Sequence, residues 1–216
     1  MGRLARLVLR RLSASPRYTW GFRIYRTTYS PLSDREFPLA LETLHRNIKS
    51  AAFKDITAMP RAGFPRPQEL LSSQYQPTVL DDCNRFNGLS LSVVREDFES
   101  WIETQDEIDD FRTSQHAICL VIDDDVIQAF VDARQRANLQ LGSGNGDPDA
   151  DAEAKKLWRW TVKSVEAWPE TDENCDKYDG VMEAPVGLLW DLYKELVDCE
   201  PVQYLLRTNG VYGVLT

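Results

Sequence analysis

The run Tyr18-Thr-Trp-Gly-Phe-Arg-Ile-Tyr-Arg-Thr-Thr-Tyr29 constrains this chain more than any other segment. Read with period two, Trp20, Phe22 and Ile24 share one face, and Thr19, Arg23 and Thr27 share the other. Aromatic and β-branched residues in that pattern predict a half-buried strand. Arg26 falls on the face that is apolar up to that point. A guanidinium at the end of a core-facing row needs an acceptor, so Arg26 marks either an internal ion pair or an anion site.

Further alternations and stripes extend the reading. Phe37, Leu41, Leu44 and Ile48 predict a helix from the Ser33/Glu36 capping pair or from Pro38 to about Phe53. The continuous apolar run His116–Ile122 predicts a strand covered on both faces, ending at Asp123-Asp124-Asp125. Asp124 or Asp125 is the expected N-cap of the next helix, which carries Val126, Ile127, Phe130 and Val131. A strand is expected near 157–168, a helix from Pro185 through Val197, and a last strand at the C-terminus. Residues about 54–112 read as a loop-rich insertion with a helix, and residues about 141–154 as a mobile loop. Removing the insertion leaves strand-helix-strand twice. The predicted fold is therefore α+β, a ferredoxin-like (split βαβ) antiparallel sheet with helices on one face, in a single domain over 18–216.

The net charge of -9 hides an asymmetry. Residues 1 to 79 hold 13 Lys+Arg against 5 Asp+Glu, and residues 80 to 216 hold 12 against 29. A domain that is mainly acidic is ill suited to nucleic-acid phosphates, and the downstream surplus makes an internal carboxylate the expected partner of Arg26. No stretch approaches a membrane span. The four cysteines have no metal spacing, and reduced thiols suit a cytoplasmic protein. Residues 1 to 17 hold five arginines, no acid and an apolar stripe of Leu4, Leu7, Val8 and Leu12. This is a basic leader, read either as a disordered tail without core contacts or as a mitochondrial-matrix address.

Trp20–Tyr29, together with Phe98-Glu-Ser-Trp101 and the run ending at Asp123-Asp124-Asp125, resembles a large group of uncharacterised fungal proteins with a similar opening strand. The likeness covers about 100 residues from Tyr18. It implies no established activity and no catalytic residues.

The candidate chemistry is sparse. Arg23, Arg26 and His116 are the candidate ligand-binding residues, suited to a small anion. Asp123, Asp124 and Asp125 are candidate metal ligands, but acids at a helix start also favour the dipole and cap the first turn. There is no G-x-S-x-G, and the glycines at 142, 144 and 146 lack the context of a phosphate cradle. The leading expectation is a non-catalytic interaction or small-ligand-binding protein with no cofactor, its partner a protein or a small anionic ligand. The alternative is a metal-assisted hydrolase or transferase that uses the Asp123–Asp125 cluster, a divalent metal and Arg26 as anion clamp.

Overall fold

A computed structural model describes residues 2–58, 64–105, 114–141, 160–169, 178–198 and 212. Its centre is one five-stranded mixed sheet. The first strand, β1 (Arg23–Arg26), pairs in parallel with β2 (Thr78–Leu80) and with β3 (Ile118–Ile122). Strand β3 then pairs antiparallel with β4 (Thr161–Glu166), and β4 with β5 (Val181–Pro185). The order across the sheet is β2-β1-β3-β4-β5.

The α+β class stands, and the strands expected near 18–29, 116–122 and 157–168 are present. The ferredoxin-like topology is corrected. Half of the sheet is parallel, and helices cover both of its faces. The physical reason lies in two crossovers. The chain leaves β1 through α2 (Pro31–Thr57) and α3 (Pro67–Gln74) to reach β2 on one side, then crosses back through α5 (Leu91–Glu103) to β3 on the other. Right-handed crossovers in opposite directions put their helices on opposite faces. Residues 64–105 are thus no insertion; they supply the edge strand and cover the second face. The short α4 (Cys83–Phe86) and α6 (Ser114–Ala117) join these pieces.

The larger core gathers Trp20, Phe22, Ile24, Leu120, Ile122 and Val162 beneath α2, α7 (Asp124–Leu141) and α8 (Leu189–Val197). The smaller core places Tyr25, Cys119, Val121 and Val165 beneath Val94, Phe98 and Ile102 of α5. Strand β3 is buried along its whole length, as its apolar run predicts.

Helix α1 (Gly2–Ala14) corrects the expectation for the leader. Ala5, Val8, Leu9 and Leu12, spaced i, i+3, i+4 and i+7, are buried in the larger core. Gln74 ties the end of the segment down, its amide donating to Leu12 O at 3.2 Å and to Ser15 O at 3.1 Å. Residues 1–17 therefore include an integral helix with core contacts.

Helix α2 starts at Pro31, with the Ser30 hydroxyl accepting from Ser33 N at 3.2 Å, and runs through Pro38. Gly21 lies between Trp20 and Phe22 with φ +137°, and a Cβ there would meet Pro77 N at 2.9 Å. Only glycine admits this approach of the β2 edge. Of the expected C-terminal strand only Tyr212 is described, its N–H donating to Glu183 O at 2.8 Å. Residues 142–154 of the expected mobile loop lie outside the described residues, whereas Leu141 ends α7.

Candidate functional site

Carboxyl ends of parallel strands are the usual ligand crevice of α/β sheets. Here those ends are filled by the chain's own ion pairs. Arg26, the last residue of β1, has a side chain only 8% exposed. Its Nη2 pairs with Asp34 of α2, and its Nη1 donates to Asp81, just past β2, at 3.2 Å. Its Nε donates to Thr28 O at 2.9 Å, and its Nη2 also donates to Ser33 Oγ at 3.3 Å. The rings of Tyr29 and Phe37 lie 4.3 and 4.6 Å from the guanidinium carbon. An internal carboxylate was expected from the acidic half; Asp81 comes from there, while Asp34 comes from α2.

The three aspartates after β3 are likewise engaged. Asp123, and neither Asp124 nor Asp125, caps α7: its Oδ1 accepts from Val126 N at 3.1 Å. The cap falls one residue earlier than expected because Asp124 is already helical. Lys163 of β4 pairs with the other Asp123 oxygen and with Asp125 at 3.1 Å. Burial acts to lower the Lys163 pKa, but the two carboxylates outweigh it and raise it above the ordinary lysine value. Asp124 accepts from Thr28 Oγ1 and, at 3.4 Å, from Ser30 Oγ. No group of three or more His, Cys, Asp or Glu among the described residues has a metal-binding arrangement.

Arg23 and His116 meet elsewhere. Arg23 opens β1 and His116 precedes β3, so the parallel pairing sets both at the same edge of the sheet, opposite Arg26. The Arg23 guanidinium carbon lies 4.4 Å from the centroid of the Trp101 ring, and His116 approaches the same ring at 5.4 Å between centroids. Trp101 is stacked in turn on Phe98. Arg23 Nε donates to the Tyr25 hydroxyl at 3.1 Å, which donates to Asp97 at 2.8 Å. Burial raises the Tyr25 phenol far above its ordinary range, so it is neutral at pH 7, and lowers the His116 pKa below its ordinary value. Half-buried Arg23 makes no ion pair among the described residues, in contrast to Arg26.

Of the three candidate ligand residues, the fold therefore joins Arg23 with His116 and separates Arg26. Trp101, not among the candidate ligand residues, completes the group; its place three residues after Phe98 puts it at the half-exposed border of α5.

No family model matches the chain, and no curated protein or solved structure matches it either. No helix among the described residues is long and apolar enough to cross a membrane.

Proposed function

We propose that this protein is a non-catalytic module that binds a small anionic ligand at Arg23, Trp101 and His116. The observation that carries the reading is the half-buried Arg23 guanidinium, stacked on Trp101 and hydrogen-bonded to a neutral phenol. A charge in that setting is stabilised by a counter-ion, and the planar fork of arginine suits carboxylate or phosphate. The aromatic wall adds contact for a ligand with a planar body. His116 lies beside it, its ring centroid 5.4 Å from that of Trp101.

The metal-assisted alternative is less well supported, because Lys163 occupies Asp123 and Asp125 and the Arg26 clamp is spent on Asp34 and Asp81. We further propose a cytoplasmic location, consistent with the free thiols of Cys83 and Cys119. Residues 1–17 as a mitochondrial address are the alternative, which a fluorescent fusion with and without them separates.

Urea unfolding at pH 7 with and without phosphate or citrate tests the ligand reading. An anion that binds the native state raises the unfolding free energy by about 2.7 kcal/mol at a hundred times its Kd. The expected result is protection of the wild type that is lost in Arg23→Gln and kept in Arg26→Met. Equal protection of Arg23→Gln, or no protection of the wild type by either anion, overturns it.

A further inference from the structure

The second half of α2 lines an open groove of about 690 Å³. Phe53 and Ala58 contribute its apolar floor, Arg46 (which also pairs with Glu42 at 2.8 Å), Lys49 and Lys54 stand along it, and no carboxylate is among the described residues of the lining. All three cations are exposed. On the other face of the sheet, α5 carries the complementary pattern. Val93 is 41% exposed, unusual for a large apolar side chain on this surface. Glu96, Glu99 and Glu103 follow it at spacings that hold all four residues within one helical face. None of the three glutamates makes an ion pair with a described residue. Burial raises the Glu99 pKa, Arg95 opposes it, and Glu103 and Glu96 add smaller raising effects.

We infer that the α2 groove of one copy receives the α5 ridge of a second copy, with Val93 seated on the apolar floor and the glutamates facing Arg46, Lys49 and Lys54. The lengths agree: Arg46 to Lys54 spans about 12 Å along its helix, and Glu96 to Glu103 about 10.5 Å along its own. Because the groove and the ridge lie on opposite faces of the sheet, the contact is head-to-tail and extends through successive copies. It belongs to the small, transient class of interfaces. Each exposed pair contributes little alone, about 0.2–1 kcal/mol, so the apolar knob and three pairs act together. The net charge of -9 opposes association. At about 0.1 M salt that long-range repulsion is screened beyond about 10 Å, while charges in contact still attract.

Sedimentation velocity on the full chain tests this with two charge-reversed proteins, both checked for folding by circular dichroism. One carries Lys49→Glu with Lys54→Glu, and the other Glu96→Lys with Glu103→Lys. The wild type is expected to gain mass with concentration at about 0.1 M salt and to lose it at about 0.5 M. Each variant alone is expected to be monomeric, and an equimolar mixture to associate again, since each reversed surface then meets an opposite one. A wild type that stays monomeric, a variant that associates as the wild type does, or a mixture that fails to associate overturns the inference.

Discussion

The ammonium of Lys194 lies 2.6 Å from the carboxylate of Asp55, which joins α8 to α2 across the larger core. The lysine side chain is 4% exposed and the aspartate 16%. Asp191 holds the same ammonium at 2.7 Å, and Trp190 Nε1 donates to Asp55 at 2.9 Å. A buried ammonium is retained because two carboxylates surround it.

Lys194→Met leaves Asp55 without its cation. We expect a loss of roughly 2–4 kcal/mol in urea unfolding, reduced from the fully buried case by the remaining exposure of Asp55. Lys194→Met with Asp55→Leu is expected to recover part of that loss, since the carboxylate then left without its cation is Asp191, which is 37% exposed and solvated by water. Burial alone would lower the Lys194 pKa, but Asp191 and Asp55 raise it above the ordinary value. A raised folded-state pKa means that the stabilisation is complete below the unfolded value, near 10.4, and is lost as pH rises through the folded one. The stability difference between wild type and Lys194→Met should therefore be constant from pH 7 to about 10 and shrink above it.

Arg26→Met removes the guanidinium shared by Asp34 and Asp81. These carboxylates are 60% and 42% exposed, so water solvates them once they are released. The main losses are the hydrogen bonds to Thr28 O and Ser33 Oγ and the contacts with two aromatic rings. We expect a cost of about 1–2 kcal/mol, with no dependence on phosphate beyond that of the wild type. A stable Arg26→Met protein that has lost phosphate protection would move the anion site to the end of β1.

Leu9→Ala tests the burial of α1. Leu9 is among the largest fully buried side chains, set among core residues of α2, α3 and α8. Truncating it is expected to cost about 2–4 kcal/mol in urea or thermal unfolding, whereas Arg6→Ala on the exposed face should stay within about 0.5 kcal/mol. Equal and small effects at both positions would show that the helix does not pack in solution.

Much of the local structure was legible. Trp20, Phe22 and Ile24 alternate because only one face of their strand meets the larger core, and Cys119–Ile122 do not alternate because both faces of β3 are covered. The stripes of α2, α7 and α8 follow from burying one side of each helix. Strands β2 and β5 are not legible in the sequence. Thr78–Leu80 is too short to carry a period, and Pro185, read as opening a helix, ends β5 instead.

From its own residues the sequence determined that this is an α+β chain with a core-facing first strand, and that Arg26 needs a counter-charge. Both follow from burial, which each residue meets through its near neighbours. The tertiary structure decided the rest: a parallel β2-β1-β3 centre instead of an antiparallel sheet, the packing of α1, and Asp34 with Asp81 as the partners of Arg26. It also brought Arg23 and His116 to one tryptophan and set Arg26 at the far end. These outcomes depend on which strand edges pair and in which direction. That choice is made by contacts between residues far apart in the chain, on which the local periodicity carries no information.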